Sequence, residues 1–468
     1  MTQARTVSAM RCRGCGWTAP RGEPLPFRCP RTGTDDTDHV LVKALDTTQL
    51  AWPSGEEPNP FVRYRELLHS YRFAVAHGMP DEDYVDLVRR LDKEVEGVDG
   101  RGFTVTPFEP SPALAAACGV RELWVKDETG NVSGSHKARH LMGVMLCLEV
   151  ASALGMDAAA DARLAIASCG NAALAAAVVA RAAGRPLDVF VPPWAEAPVL
   201  ARLEALGANV ATRTREPGVT GDPTYLALQA AIAGGAVPFT CQGNENGLSI
   251  EGGATLAYEM ADASGEAEFD RVFVQVGGGA LASAIVEGLT QVRDLGRLER
   301  LPRLHAVQAR GAHPLARAYR RLAERIAARI GVEALDEQAR ADAFAAHFDA
   351  PAVREELRHA ATHRSEFMWA WEDEPESVAH GILDDETYDW MAVVTGMLAT
   401  GGYPVVVDED MLRGANGIAR GATDIDVDHT GSSGLAGALE LGRRGAIGHD
   451  ERIVVLFTGA RRTPEATP

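Results

Sequence analysis

A single lysine occupies a position where it could act as a nucleophile. Lys137 ends the run Ser133-Gly134-Ser135-His136-Lys137, which follows an extended stretch, Leu123–Glu128, and precedes an apolar helical run, Leu141–Leu154. This order predicts a strand, a tight turn and a helix, with one amine at the mouth of a sheet. Because partial burial disfavours the charged form, such an amine becomes reactive toward a carbonyl group. A surface lysine at the start of a helix would give the same pattern, so other stretches must decide between the two interpretations.

A second stretch has the residues of an anion site. Ser168-Cys169-Gly170-Asn171-Ala172 lies between an apolar strand pattern, Leu164–Ala167, and an alanine-rich helical pattern, Ala172–Ala183. Backbone N–H groups and a hydroxyl at a helix start bind anions, and the carboxylate of an amino acid would suit this place. Asn171 could also be the N-cap of the helix, and both interpretations can hold together.

A glycine-rich loop, Gly277-Gly278-Gly279-Ala280-Leu281, again stands between a predicted strand and a predicted helix. Glycines let the backbone come close to a phosphate, and the helix start offers unpaired N–H groups. The loop also fits the dinucleotide fingerprint, which needs an acidic residue at the end of the next strand. That strand ends in Gln308-Ala309-Arg310, without a carboxylate. A phosphate cradle is therefore favoured over an NAD site.

A fourth stretch places hydroxyl groups before a helix. Asp428-His429-Thr430-Gly431-Ser432-Ser433-Gly434 precedes the helical pattern Leu435–Leu441. Hydroxyls in such a position are common helix caps. Thr430 gains a different role only in combination with the other three stretches.

The N-terminal cysteines have part of the spacing of a metal site. Cys12 and Cys15 form a Cys-x-x-Cys knuckle, which supplies half of a tetrahedral thiolate site, and Cys29 follows. Thr32 stands where a second knuckle needs its last ligand, so the fourth ligand would be His39 or an aspartate between residues 35 and 38. A zinc-binding ribbon and a metal-free relic of one both remain open. Either would be structural, because no open coordination position or nearby base suggests catalysis.

Composition excludes several classes of protein. The net charge is −19, with scattered acidic residues and no long basic run, so nucleic-acid binding is disfavoured. No apolar stretch approaches the roughly 20 residues of a membrane span, and Met1–Arg5 carries no apolar signal core, so we expect a cytoplasmic protein. Seven cysteines, an odd number, favour reduced thiols over a disulfide framework.

The elements that would position these stretches alternate regularly after Val120. Short apolar strand patterns separated by helical runs indicate an α/β protein with parallel sheets, in which ligands bind at the carboxyl ends of the strands. The predicted strands include Leu164–Ala167, Leu187–Val191, Arg271–Val276, Leu304–Val307 and Ile453–Phe457. Two helical patterns, Phe61–Tyr71 and Tyr84–Leu91, precede them. A charge-rich helical region at about 314–375 is predicted to be solvated, as a cap or an oligomer contact.

Taken in order, the four stretches resemble those of fold-type II pyridoxal-phosphate enzymes. The chain is most similar to the threonine synthase and threonine/serine dehydratase branch, over about residues 107–459, and its N-terminus resembles the ribbon attached to some threonine synthases. The resemblance implies a two-domain architecture like that of the tryptophan synthase β chain, and a homodimer. Residues 1–45 would be the ribbon-like segment, 46–134 and 245–468 the large domain with the insertion at 314–375, and 135–244 a small mobile domain.

The resemblance also implies residue roles toward pyridoxal 5′-phosphate (PLP). Lys137 would hold the cofactor covalently and then move the Cα proton, with His136 beside the cofactor or its phosphate. Asn171 would hold the phenolic oxygen, and Thr430 would meet the pyridine nitrogen. The phosphate would lie on Gly277, Gly278, Gly279, Ala280 and Leu281, and the substrate carboxylate on Ser168, Cys169, Gly170, Asn171 and Ala172.

The implied function is elimination or replacement at the β or γ carbon of a small amino acid, because a neutral hydroxyl does not enforce protonation of the ring nitrogen. A threonine synthase-like reaction on O-phosphohomoserine is the favoured expectation. A serine/threonine ammonia-lyase, a β-replacement synthase and a catalytically silent PLP-fold binding protein are alternatives. Two features depart from the family pattern. Ala138-Arg139-His140 replaces the usual Asp-Arg-Gly, and His380 lies where dehydratases tend to have an acidic residue near the cofactor.

Overall fold

The N-terminal part of the chain is a hairpin followed by three helices. The computed structural model describes residues 7–156, 161–216, 218–219, 221–265 and 267–462. Strand β1 (Ser8–Cys12) pairs antiparallel with β2 (Leu41–Leu45). Helices α1 (Pro60–Arg63), α2 (His69–Ala76) and α3 (Asp81–Asp99) follow. The single helix expected over 61–71 is therefore divided, because a 3-10 turn separates α1 from α2.

From Phe108 onward, strands alternate with helices. The elements are β3 (Phe108–Pro110), α4 (Pro112–Cys118), β4 (Glu122–Asp127), α5 (Lys137–Ala153), β5 (Leu164–Ala167), α6 (Asn171–Ala182), β6 (Leu187–Val191), α7 (Ala197–Ala205), β7 (Asn209–Thr212), α8 (Pro223–Ala233), β8 (Val237–Pro238), α9 (Ile250–Ser264), β9 (Arg271–Gln275), α10 (Ala280–Asp294), β10 (Arg303–Ala309), α11 (Pro314–Ile330), α12 (Glu337–Ala346), α13 (Pro351–Thr362), α14 (Trp390–Thr400), β11 (Val405–Val407), α15 (Glu409–Ala422), α16 (Ser433–Arg443) and β12 (Arg452–Phe457).

Strands β3 to β12 form two sheets, separate from the β1–β2 hairpin. The six-stranded sheet has the order β11-β10-β9-β12-β4-β3, and only β3 runs antiparallel to its neighbour. The four-stranded sheet, β7-β6-β5-β8, is parallel throughout. The predicted α/β class with parallel sheets is confirmed. Both sheets have apolar, buried central strands because helices cover their two faces, as parallel sheets require.

The strand order brings the predicted loops together. Strands β9, β12 and β4 are neighbours, so the loops that follow Gln275, Phe457 and Asp127 leave one edge of the large sheet side by side. The loop after β5 in the small sheet reaches the same place, where the side chain of Asn171 lies against Gly459. The four sequence stretches therefore meet where the carboxyl ends of both sheets converge.

Helices α11 to α13 fill most of the region expected as an insertion. Helix α11 buries Leu315, Leu322 and Ile326 in the core of the large sheet, so it is amphipathic, with only one solvated face. All strands of the small sheet fall between residues 164 and 238, and all strands of the large sheet fall outside that span. The mobility of the small domain stays a prediction. Among the described residues, no helix is both long and apolar enough to cross a membrane.

Candidate active site

Lys137 is the first residue of α5 and is half-buried. The chain has only four lysines, Lys43, Lys93, Lys126 and Lys137. Lys43 and Lys126 are buried and paired with carboxylates, and Lys93 is exposed on α3. Within the described part of the chain, Lys137 has no ion-pair partner, so it is the lysine available for chemistry at the convergence of the sheets.

The turn before Lys137 has an unusual backbone. Ser133 has φ 56°, in the left-handed region that non-glycine residues rarely adopt. Its N–H donates to Asp99 Oδ2 at 2.8 Å, and Asn131 holds the same turn by donating to Ser135 O at 3.1 Å. A backbone conformation held against its preference is common at functional loops.

A buried ionic network anchors the first turn of α5. Arg139, Glu128, Glu259 and Lys126 have no exposed side-chain surface. Arg139 Nε donates to Glu128 Oε2 at 2.8 Å and its Nη1 donates to Glu259 Oε1 at 2.5 Å, while Lys126 Nζ donates to Glu259 Oε2 at 2.5 Å. Burial alone would lower the pKa of Arg139, but the two carboxylates outweigh it and raise that pKa. The network fixes the helix turn that carries Lys137.

Two neutral histidines flank the lysine. His136 Nδ1 contacts Thr458 O at 3.1 Å, and His140 Nδ1 contacts Ser249 O at 2.7 Å. A carbonyl only accepts, so Nδ1 carries the proton in both rings and Nε2 is bare. Both Nε2 atoms are buried without a partner in the described residues. Burial, then the charge of Lys137, lowers the pKa of His136 well below its usual value and that of His140 to about 3.

The glycine-rich loop is held by the segment 384–389. Thr387 Oγ1 donates to Gly277 O at 2.8 Å, and Asp389 N donates to Gly278 O at 3.0 Å. A Cβ on Gly277 would lie 2.2 Å from Asp384 Oδ2, and one on Gly278 would lie 2.9 Å from Tyr388 Cδ2. These close approaches explain why glycines are needed here.

Asp384 places a carboxylate on this loop. Burial raises its pKa to about 6, while the charge of Lys137 and the nearby Gly278 N–H act in the opposite direction. Burial likewise raises the pKa of Asp389 to about 7. Neither aspartate could be predicted as a neighbour of the loop, because both lie more than 100 residues further along the chain.

In the loop after β5, Asn171 is not the N-cap of the following helix, contrary to one of its two interpretations. Gly170 is the N-cap of α6, and Asn171 is its first residue. The Asn171 Oδ1 atom accepts from Arg462 Nε at 3.0 Å and from Arg462 Nη2 at 2.7 Å, so the side chain does not cap the helix. Burial lowers the pKa of Arg462. Sequence reasoning missed this cation because a single arginine after the last strand carries no local signal.

Two threonines offer hydroxyl groups near the site. Thr430 Oγ1 accepts from Gly381 N at 3.0 Å, next to the exposed His380. Thr458 lies at the carboxyl end of β12, where its Oγ1 accepts from Gln275 Nε2 at 2.6 Å and its carbonyl holds His136. Thr430 stays the predicted partner of a ring nitrogen, and Thr458 is a second candidate. The signal for Thr458 was its place directly after the last strand.

The three N-terminal cysteines and His39 come together. Their ligand atoms lie within 4.8 Å of one another, with Cys15 Sγ 3.7 Å from Cys29 Sγ and Cys12 Sγ 3.5 Å from His39 Nδ1. Sulfurs bound to one zinc at about 2.3 Å in a tetrahedron are about 3.8 Å apart. His39 Nε2 contacts Asp35 Oδ1 at 3.1 Å, the arrangement that orients metal-bound histidines. The donor set and spacing fit zinc.

PLP also fits the residues present. The glycine-rich loop offers N–H groups at the start of α10, and its glycines let the side chains of Asp384 and Tyr388 come close to the backbone, as a phosphate would have to. Lys137 offers an amine for an aldehyde, and His136 offers a buried polar atom without a partner. These groups follow β9 and β4, the two strands on either side of β12, so they leave the same edge of the sheet, as one small cofactor would need.

Comparison with known proteins supports the same cofactor. Residues 101–366, more than half of the chain, match the family described as pyridoxal-phosphate dependent enzyme. The threonine synthase of Methanosarcina acetivorans is 26% identical over 358 residues, which are 76% of this chain and 74% of that protein. A serine dehydratase-like protein of Mus musculus is 30% identical over 212 residues, 45% of this chain and 57% of that protein.

The fold has a solved counterpart. The structure of maize serine racemase matches with a TM-score of 0.56 and 17% identity, covering 81% of this chain and 94% of that chain. At this identity the likeness shows the fold alone, and it confirms the predicted fold-type II architecture. The family match and the sequence relatives confirm the predicted cofactor and enzyme class, a PLP-dependent lyase. The chain belongs to the pyridoxal-phosphate dependent enzyme family.

Proposed function

We propose that the protein eliminates or replaces a substituent at the β or γ carbon of a small amino acid, as a threonine synthase does, with O-phosphohomoserine or a related compound as substrate. The observation that carries this proposal is the half-buried Lys137, which has no ion-pair partner among the described residues and follows β4 in the same sheet whose strand β9 leads into the glycine-rich loop. Similarity to threonine synthases over most of the chain supports the choice of reaction.

Different residues of the chain would bind the substrate, move its proton and set the charge around the cofactor. Bound PLP supplies the electron sink for a carbanion at the substrate Cα. Lys137 removes and returns the Cα proton, and the neutral His136 and His140 add no cation that would compete for the substrate carboxylate. The backbone of 168–172 holds that carboxylate at the start of α6, close to the guanidinium of Arg462. A neutral threonine hydroxyl at the ring favours loss of a leaving group.

A serine or threonine ammonia-lyase is the second candidate, and one observation favours it. Burial raises the pKa of Cys169 to about 11, and the carboxylates of Glu196, Asp222 and Asp384 add to that effect. The negative charge of these groups therefore acts on the loop expected to bind substrate. They would repel a phosphorylated substrate more than an uncharged hydroxyl.

A substrate scan separates the two candidates. The PLP-loaded enzyme would be given O-phosphohomoserine, threonine, serine and O-acetylserine, with phosphate, ammonia and acetate release measured. Phosphate release with formation of threonine supports the first candidate, and ammonia release from threonine or serine supports the second. A Lys137→Ala control should lose turnover in either case. Release of none of the three products would overturn both candidates and favour a catalytically silent PLP-fold binding protein.

We also propose that Cys12, Cys15, Cys29 and His39 bind one structural zinc ion, with Asp35 orienting the histidine. The four donors leave no open coordination position, which is the pattern of structural sites. A homodimer and a cytoplasmic location stay proposals from the resemblance and from composition. Light scattering of the purified protein would test the homodimer.

A further inference from the structure

The N-terminal segment contacts the link between the two sheets. Arg28, which directly precedes Cys29, donates from Nη1 to Glu245 Oε2 at 2.7 Å. The Glu245 side chain is only 3% exposed, so its carboxylate oxygens are held by protein partners and largely shielded from water. Nearby, Phe27 O accepts from Gly247 N at 2.9 Å, which docks the same segment on residues 245–247. These residues carry the chain from the small sheet back to the large one.

The same carboxylate holds a tyrosine of the small sheet's outer layer. Tyr225, on α8, donates its hydroxyl to Glu245 Oε1 at 2.5 Å and accepts from Asn244 Nδ2 at 2.9 Å. The two oxygens of Glu245 thus serve different partners, one on the N-terminal segment and one on α8. A change at Arg28 would therefore alter the group that fixes Tyr225.

Tyr225 in turn contacts the segment that holds the glycine-rich loop. The rings of Tyr225 and Tyr388 stack, with centroids 5.8 Å apart and planes inclined at 29°. The Tyr388 ring lies so close to Gly278 that a Cβ there would be 2.9 Å from its Cδ2. The contacts Arg28–Glu245–Tyr225–Tyr388–Gly278 form one continuous relay from the N-terminal segment to the phosphate cradle.

We infer that Arg28 is a positioning residue for the glycine-rich loop, so that the N-terminal segment sets how tightly the protein binds the phosphate of its cofactor. The inference rests on the proposed cofactor role of that loop. Loss of Arg28 leaves a buried carboxylate without the partner that holds its Oε2, so the Oε1 atom that accepts from Tyr225 is no longer fixed in place. Tyr388 then loses its stacking partner, and the loop is less well organised for the phosphate. Because the relay is contiguous, its effect should appear in cofactor affinity.

The test uses apo-protein and visible-absorbance titration with PLP. Arg28→Met should weaken PLP binding by about tenfold. Arg31→Met is the matched control, because this substitution removes the same charge from the same segment. Arg31 has no ion pair in the described structure. Arg28→Lys, which keeps a cation near Glu245, should restore most of the affinity. Tyr225→Phe should weaken binding to a similar extent and have little further effect when combined with Arg28→Met.

The outcomes separate this inference from the proposed function. If the wild-type protein binds no PLP, the cofactor role itself fails. If the wild type binds PLP and Arg28→Met binds it equally well, or loses thermal stability without a change in PLP affinity, Arg28 is only a structural contact and the inference is wrong. Additive losses in the double variant would also overturn the relay. If Arg28→Met does not fold, Tyr225→Phe and Arg28→Lys still decide the matter through the same titration.

Discussion

Lys137 is the lysine available to react with a cofactor, because Lys43 and Lys126 are paired with carboxylates and Lys93 is exposed on α3. Its neighbours His136 and His140 are neutral. Lys137 was predictable from its place in a short turn before a helix. The glycines 277–279 were predictable in the same way, because the role of each depends on the local backbone. Asp384 and Arg462 were not predictable, and the one signal for Thr458 was its place directly after the last strand. Asp384 and Arg462 reach the site through contacts between distant parts of the chain, and a single aspartate or arginine carries no local signal.

Replacement of Asp384 should strengthen anion binding at the glycine-rich loop. Its carboxylate faces the N–H groups that a phosphate would use, so Asp384→Asn should bind sulfate several-fold more tightly. Because the pKa of Asp384 is about 6, wild-type affinity should fall as pH rises through that value, and the fall should be smaller in the variant, which keeps Asp389, with a pKa of about 7, at the same loop. Calorimetric titration with sulfate, whose own charge is constant in this range, would measure both effects. Asp385→Asn, which removes the same charge beside the loop contact, should change binding less, and equal gains would contradict this role.

Loss of Arg139 should destabilise the protein strongly. Arg139→Met leaves Glu128 and Glu259 buried without their main cation, and breaking a buried network in this way costs about 3–5 kcal/mol. Denaturant unfolding would give the free-energy change. Arg293→Met, which removes an exposed pair with Asp294, is the control and should cost about 0–1 kcal/mol. A similar small cost for both variants would mean that the network does not anchor α5.

Helices and strands were predicted well where apolar periodicity is strong. Strand β4 and helix α16 lie within two residues of the expected ends, whereas α5 begins at Lys137, four residues before its expected apolar run. The start of α5 was not predictable from apolar periodicity because its first turn is polar. Arg139 in that turn is paired with Glu128 and Glu259, which lie elsewhere in the chain. The hairpin β1–β2 was expected only as a cysteine-bearing segment, since its pairing joins residues about 30 positions apart.

The metal proposal predicts that the N-terminal hairpin depends on zinc. Purified protein should contain one zinc per chain by elemental analysis, and treatment with a chelator should lower its thermal midpoint. His39→Ala should lose the metal, because it removes a ligand 3.5 Å from Cys12 Sγ. Asp35→Asn removes only the group that orients the histidine and should weaken metal binding by about 10–100-fold. Metal-free protein with unchanged thermal stability would refute the proposal.

The whole molecule is an acidic α/β protein whose two sheets point their strand ends at one site. Alternating apolar strands and helices were enough to predict this class. The sequence alone could not reveal that the N-terminal segment contacts the link at Glu245, or that Tyr225 and Tyr388 connect this link to the glycine-rich loop. Such contacts depend on how three parts of the chain pack together, and no periodicity encodes them.

The central claim is that Lys137 carries the cofactor, and chemical trapping tests it most directly. The protein would be incubated with PLP, reduced with borohydride, digested and mapped by mass spectrometry. Only four lysines compete, and the exposed Lys93 reports nonspecific labelling. The account predicts one cofactor per chain on the peptide that contains Lys137, and none there in Lys137→Ala. A label on Lys93 with Lys137 unmodified would contradict it.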